Sequence, residues 1–411
     1  MNLLLPLPNV VERLGQRVHE AGGRCFVVGG GVRDHLLQIA VKDWDIEVFG
    51  LDLDALEAVL RRIGRVNAVG RSFGVFKLTH NGAEIDVSIP RRDSNSGPGH
   101  RGIEVEGDPY MSFDEAVTRR DLTINAMMVD VVTGELIDLA DGHTDLKARR
   151  LRAVNANTFL EDPLRALRAV QFAARFEFQA DAELRDLCRA AALQELPPER
   201  IQGEWLKLFL RGSRPSVGLQ LARDTDQLQR VFPALRDAPN LDTAVDLAVA
   251  STQGLEPPGR RLGVLLLVWL SQTPTQDVEA VLDALGLHRW GGYPVRDQLL
   301  RAHAELDTAP ADVAQLRHMS TRCHLGLTLT AQAALRPEGP AESNRADAHR
   351  LSILWGPPKP WVLGRDVLAC GVAPSPAVGQ WLARLYQAQL DGVLSGREEA
   401  LAQLKTWLDE A

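Results

Sequence analysis

Asp43 and Asp45 stand one residue apart in Lys42-Asp43-Trp44-Asp45-Ile46-Glu47-Val48. Side chains two apart on a β-strand share a face, so a strand here would converge both carboxylates while Trp44, Ile46 and Val48 turn to a core. Adjacent like charges repel, and a hard divalent cation with oxygen ligands at roughly 2.0–2.1 Å keeps both ionised. Upstream, Arg24-Cys25-Phe26-Val27-Val28 runs into Gly29-Gly30-Gly31-Val32-Arg33-Asp34. An apolar strand, a glycine turn and a helix start together offer bare backbone N–H groups to a phosphate. Gly29 and Gly30 would supply those amides, and Arg33 a guanidinium that forks onto phosphate oxygens or pairs with Asp34. A dinucleotide fold needs Gly-x-Gly-x-x-Gly, and Asp34 occupies its third glycine position.

The elements that must position these groups follow from periodicity. Residues 9–21 read as a helix closed by Gly22-Gly23, and residues 54–63 as a second. Residues 67–78 read as a strand pair with a turn, and Ala83-Glu84-Ile85-Asp86-Val87-Ser88-Ile89 alternates so that Asp86 falls beside the Asp43/Asp45 pair. The run from Arg91 to Gly102 is polar and glycine-rich and is expected to be a mobile loop beside the site. Beyond about residue 155 strand signals fade and the composition turns Leu/Ala/Arg-rich, so the remainder is expected to be helical. The fold class expected is α+β: a mixed α/β head over 1–150, then an all-helical remainder.

The 411 residues, 45% hydrophobic and 24% charged, exclude a disordered chain and allow several domains. Net charge is −8, which argues against indiscriminate coating of nucleic acid but leaves room for arginines segregated along one groove. Arginines over 165–214 and near 345–365 are the candidates for such a groove. Cys25, Cys188, Cys323 and Cys370 are scattered without a Cys-x-x-Cys pair, so reduced, buried thiols are expected. The apolar stretch over 262–270 is too short to span a bilayer and the N-terminus lacks a basic leader. A cytoplasmic protein without a membrane partner is expected, and no protein partner is inferred. Trp205, Trp269, Trp290 and Trp381 read as core residues rather than base-stacking platforms.

Further motifs follow in order: Arg119-Arg120-Asp121-Leu122-Thr123-Ile124-Asn125-Ala126, then Asp138, Gly142 and Asp145-Leu146, then Glu161-Asp162-Pro163-Leu164-Arg165, and Glu199-Arg200-Ile201. Pro163 suits a first helical turn and Asp162 its cap, with Arg165, Arg168 and Arg175 on one side of the helix. With the Gly-Gly-x-Val-Arg-Asp turn and Lys-Asp-x-Asp, this succession from Val27 to about Arg211 resembles the class II tRNA nucleotidyltransferases. That family comprises the CCA-adding enzymes and their bacterial poly(A) polymerase relatives.

The resemblance implies a polymerase-beta-type head (1–150), a helical neck that recognises the base (151–215), and a helical body and tail that bind tRNA (216–411). It implies attack by a tRNA 3′-hydroxyl on the α-phosphate of CTP or ATP, with Mg²⁺ held by Asp43 and Asp45. Arg120 and Arg168 would contact the nucleotide, and Asp121 with Asn125 would orient the ribose or the neck. Asp162 and Arg165 would read the base. Cytosine and adenine each present an amino donor beside a bare ring nitrogen, which suits one carboxylate and one guanidinium, whereas guanine and uracil invert that pattern.

Two positions depart from the family. Gln171 stands where many members carry an arginine, and none of the ten histidines precedes an aspartate, so the His-Asp phosphohydrolase domain of many relatives is not expected. Within the family, enzymes that add only the two cytidines lack a flexible loop ahead of the Arg-Arg-Asp motif, so the resemblance with a loop over 91–102 implies an enzyme able to add the terminal adenosine, in full CCA addition or A-addition alone. A poly(A) polymerase or a decayed tRNA-binding factor are the alternatives.

Overall fold

The computed structural model describes residues 2–67, 70, 74–95, 103–236 and 241–410, and it divides into two compact units, Met1–Val231 and Phe232–Ala411. The expected divisions near 150 and 215 both fall inside the first unit.

The first unit opens with α1 (Asn9–Glu20), whose Val11, Leu14 and Val18 form a fully buried stripe at helical spacing. Next come β1 (Arg24–Val28), α2 (Gly30–Leu36), β2 (Asp45–Phe49) and α3 (Leu53–Arg61). Strands β3 (Arg65–Asn67), β4 (Val75–His80) and β5 (Ala83–Ser88) follow, and β8 (Met128–Asp130) and β9 (Leu136–Ile137) complete a seven-stranded sheet. Its order is β3-β4-β5-β2-β1-β8-β9, with β2 and β5 parallel and the other neighbours antiparallel.

Alternation on β2 separates its two faces. Ile46 and Val48 are buried, and so are Cys25 and Val27 beside them on β1. The opposite face carries Asp45, Glu47 and Phe49 in that order, a row that grades from the site into an aromatic core. There Phe26, Phe49 and Phe113 meet edge to face, with ring centroids 4.9 to 5.4 Å apart, geometry that adds to the burial of their area.

The structure departs from two expectations. Asp43 does not lie on the strand. The first ladder pairs of β2 are Asp45 with Asp86 and Ile46 with Val27, so residues 42–44 lead into the sheet without a pairing partner among the described residues. The stretch 91–102 is not simply a loop either. Strands β6 (Arg91–Asn95) and β7 (Ile103–Gly107) pair antiparallel, Arg91 opposite Gly107 and Asn95 opposite Ile103. Residues 96–102 lie outside the described residues. The polar sequence concealed this ladder because main-chain hydrogen bonds, which any residue supplies, define it.

After α4 (Phe113–Thr118), α5 (Gly142–Lys147), the short strand β10 (Arg150–Leu151) and α6 (Ala156–Glu161), the first unit becomes helical except for β11 (Gln179–Ala180). Helix α7 (Leu164–Phe176) packs against α9 (Pro198–Arg211) and α10 (Pro215–Asp224), with α8 (Ala182–Ala190) and α11 (Gln227–Val231) completing the unit. Gly218 is what lets α10 approach: a Cβ there would lie 2.5 Å from the Val170 carbonyl oxygen. The regular elements among the second unit's described residues are helices, with Asp242–Ser251 the first α-helix and Arg397–Asp409 the last. Trp205 and Trp269 are buried and Trp290 and Trp381 half-buried, Trp381 stacking on Trp407 at 6.4 Å. Cys25, Cys188 and Cys323 are buried free thiols. Among the described residues no helix is long and apolar enough to cross a membrane.

Candidate active site

Three local structures deliver the site residues. Gly29 holds φ +63° with ψ −116° at the start of α2, a conformation open to glycine and strained for any residue with a Cβ, and it aims the following backbone at the sheet's end. Ser112 and Glu115 form a reciprocal capping box that fixes the start of α4, and α4 ends at Arg119, so Arg119 and Arg120 leave it towards β2. Asp162 is extended, and its Oδ1 accepts from Leu164 N at 3.2 Å. It therefore caps α7, the helix that carries Arg165 and Arg168.

These elements surround a cavity of about 430 Å³ lined by Gly29, Gly30, Arg33, Asp45, Arg120, Asp121, Asn125, Asp162, Arg165 and Arg168, with Arg91, Arg119, Leu164 and Arg200. A second cavity of about 280 Å³ shares Asp45, Arg91, Arg119 and Arg120 with it and adds Glu47, Asp86 and Ser88. Every nucleotide-contacting residue expected from the sequence lines the first cavity. Asp43 does not; it is exposed on the lead-in to β2.

Arg33, Arg91, Arg119, Arg120, Arg165, Arg168 and Arg200 meet in that cavity against Asp45, Asp121 and Asp162. A chain of net charge −8 thus gathers positive charge at one concave place, as an anionic ligand requires.

Most of the arginines are held by fixed partners. Glu47 is 1% exposed and accepts from Arg120 at 2.9 Å and from Arg119. Burial pushes its carboxyl up, but Arg120 and Arg119 overcome this and hold it below the ordinary glutamate range. Asp121, 8% exposed, accepts from Arg168 Nε at 2.7 Å, Asn125 Nδ2 at 3.1 Å and its neighbour Leu122 N at 2.7 Å. Burial raises its pKa, and Arg168 with these hydrogen bonds brings it below normal.

Arg33 is 4% exposed, forked onto Asp34 at 2.6 and 2.8 Å, and donates to Asn125. It also lies over the Phe176 ring at 4.7 Å. Asp34 takes Arg175 at 3.1 Å as well, so the glycine-turn helix and α7 are tied through one carboxylate. Arg165 donates to the carbonyls of Thr158 at 2.7 Å and Arg119 at 2.6 Å, which commits two of a guanidinium's five N–H groups. Asp162 Oδ2 accepts from Arg200 at 3.0 Å.

Asp45 titrates above the ordinary aspartate range. Partial desolvation is the first cause, Arg120 opposes it, and the negative charges of Asp86 and Asp43 add to it. Asp86 lies directly across the ladder from Asp45. Among the described residues no group of three or more His, Cys, Asp or Glu could hold a metal unaided. An all-oxygen set of one or two carboxylates nevertheless fits a hard cation of the Mg²⁺ class, which fills its shell with water and substrate phosphates. The residues present fit such an ion.

The Poly A polymerase head domain family matches residues 25–152, and the family described as "Probable RNA and SrmB- binding site of polymerase A" matches 178–238. The Multifunctional CCA protein of Xanthomonas euvesicatoria pv. vesicatoria (strain 85-10) is 33% identical over 328 residues, which span 74% of this chain and 75% of that protein. The chain belongs to the multifunctional CCA protein family. It is a nucleotidyltransferase. Another member, from Stenotrophomonas maltophilia (strain R551-3), is 39% identical over 219 residues, 52% of each chain. The fold matches the Bacillus stearothermophilus CCA-adding enzyme in complex with CTP, at a TM-score of 0.73 and 22% identity over 98% of this chain and 99% of that one. It also matches the Thermotoga maritima CCA-adding enzyme complexed with tRNA, at 0.68 and 22% over 97% and 95%.

Residues that sequence reasoning did not select are Glu47, Arg91, Arg119 and Arg200. Glu47 shares a face with Asp45 by the period of two, Arg119 adjoins Arg120 in one motif, and Arg200 belongs to another. Those signals were present. What the sequence lacked was the pairing, because Arg200 with Asp162 and Arg119 with Glu47 join residues far apart in the chain.

Proposed function

We propose that this chain adds the nucleotides of the CCA end to the 3′ terminus of tRNA, taking CTP and ATP one at a time without a nucleic-acid template and releasing pyrophosphate. The observation that carries the reading is one cavity with Asp45 and the Arg119/Arg120 pair on the head side and Asp162 and Arg165 on the α7 side. Asp43 and Asp45 would hold a divalent cation, magnesium by its fit to oxygen ligands, and when bound it would supply a lowered pKa at the RNA 3′-hydroxyl and charge neutralisation at the phosphates. Arg120 and Arg168 with the Gly29 and Gly30 amides would bind the triphosphate, with Arg33 holding Asn125 in place beneath it. Asp121, with Asn125, would orient Arg168 and the ribose. Asp162 would accept from the base amino group while an N–H of Arg165 not spent on Thr158 or Arg119 donates to the ring nitrogen. Protein side chains then take the part of a template strand.

The test uses purified protein, Mg²⁺ and three tRNAs: one ending at the base before CCA, one carrying the first cytidine, and one carrying both. Label from CTP entering the first two and from ATP the third is the expected result, and label from ATP on the third alone would narrow the activity to A-addition. Asp43→Asn combined with Asp45→Asn is expected to abolish incorporation of every nucleotide while tRNA binding persists. Incorporation surviving that double substitution would overturn the reading.

A further inference from the structure

We propose that Glu47 is a positioning residue for the nucleotide pocket, a buried counter-charge that holds the Arg119 and Arg120 guanidiniums where a triphosphate meets them. Its carboxylate is 1% exposed, one oxygen receiving Arg119 and the other Arg120 at 2.9 Å. The arginines are 21% and 23% exposed, and both line the two cavities that meet at Asp45. The pairing is therefore asymmetric: the nearly buried acid borders only the smaller cavity, and the more exposed cations it grips line both.

The strand dictates this placement. Glu47 follows Asp45 by one strand period, and its ladder partner on β1 is Phe26, in the aromatic core. A carboxylate at that depth requires partners, and the exit of α4 supplies two at once. Arginine loses rotamer freedom when its side chain is fixed, so side chains fixed before the ligand arrives spare binding that cost. Glu47 makes no contact with substrate in this scheme; it acts through Arg119 and Arg120.

The inference rests on the function proposed above and divides cleanly from a simple field effect. Through space, deleting a negative charge beside an anion site strengthens anion binding. If Glu47 positions the arginines, deleting it weakens binding instead, so the sign decides. CTP alone, in EDTA and without RNA, is titrated calorimetrically into the full chain and into Glu47→Gln, a near-isosteric change that removes the charge. Affinity lower by about ten-fold is the expected outcome; equal or tighter binding overturns the inference. Should Glu47→Gln fail to fold, as judged by circular dichroism, Glu47→Asp keeps the charge but, one methylene shorter, cannot reach both guanidiniums. It is expected to weaken CTP binding about three-fold, and unchanged affinity there overturns the inference equally. Failure of the wild-type chain to incorporate nucleotides into tRNA would instead strike the proposed function, leaving the sign of the Glu47 effect to be read by itself.

Discussion

Arg165 carries the sharpest expectation for a single side chain. One hydrogen bond to a charged group contributes about 1.5–3 kcal/mol, so Arg165→Ala is expected to shrink discrimination of CTP and ATP against UTP and GTP by about ten- to hundred-fold. Single-turnover incorporation with each of the four nucleotides measures this, and unchanged rejection of UTP and GTP would remove Arg165 from base reading. Asp121 makes a different prediction, in pH. Its folded-state pKa lies below the ordinary aspartate value because Arg168, Asn125 and Leu122 N outweigh its burial. Its contribution to folding is therefore fully present above the unfolded value, near 4, and is lost as pH falls through the lower folded value. Asp121→Asn is expected to cost about 2–3 kcal/mol at neutral pH, under the range for breaking a buried pair because Arg168 can reach solvent. The variant should also lose part of the wild-type protein's decline in stability below pH 4, as urea unfolding across pH 2 to 7 would record.

At the scale of elements, α7 is the part whose placement matters most, since it carries Arg165 and Arg168 and its cap is Asp162. It lies against α10 at the distance Gly218 permits, where an added Cβ would meet the Val170 oxygen at 2.5 Å and the Ala174 Cβ at 2.8 Å. Gly218→Ala must push the helices apart, at about 1–3 kcal/mol by the usual cost of overpacking, and thermal unfolding should show a lowered midpoint. A midpoint equal to wild type would mean that the contact relaxes freely. The pattern of residues 164–176 made α7 readable in advance, because its apolar positions recur every three to four residues and proline precedes it. The β1–turn–α2 unit and the alternating strands were readable for the same reason: their order is local. Strands β6 and β7 and the unpaired lead-in at Asp43 were not, because ladder register depends on a partner strand rather than on side-chain alternation. The ion pairs that fix the arginines were unreadable too, being matters of rotamer and long-range approach, with Arg168 and Asp121 47 residues apart in the chain.

For the whole molecule, the question is how a chain of net charge −8 binds a polyanion. The expected groove arginines do not all contribute equally: Arg345 and Arg350 pair with Glu342 and Asp347 within one helix, whereas Arg165, Arg168 and Arg200 line the cavity of the first unit. Clustered cations release counterions from the nucleic acid whatever the net charge of the protein, so affinity should fall with salt as it does for a basic protein. With roughly four phosphates neutralised on single-stranded or end-frayed RNA, the slope of log K against log salt is expected to be about −3, or about a sixty-fold loss between 50 and 200 mM. Filter binding of tRNA lacking its CCA end, over a salt series, measures the slope. A chain that bound through shape and stacking alone would give a slope near zero. Repeating the series with Arg168→Gln should flatten the slope by nearly one phosphate if that side chain meets RNA, and should leave the slope intact while CTP affinity drops if it meets the nucleotide instead, as its pairing with Asp121 beside Asn125 favours.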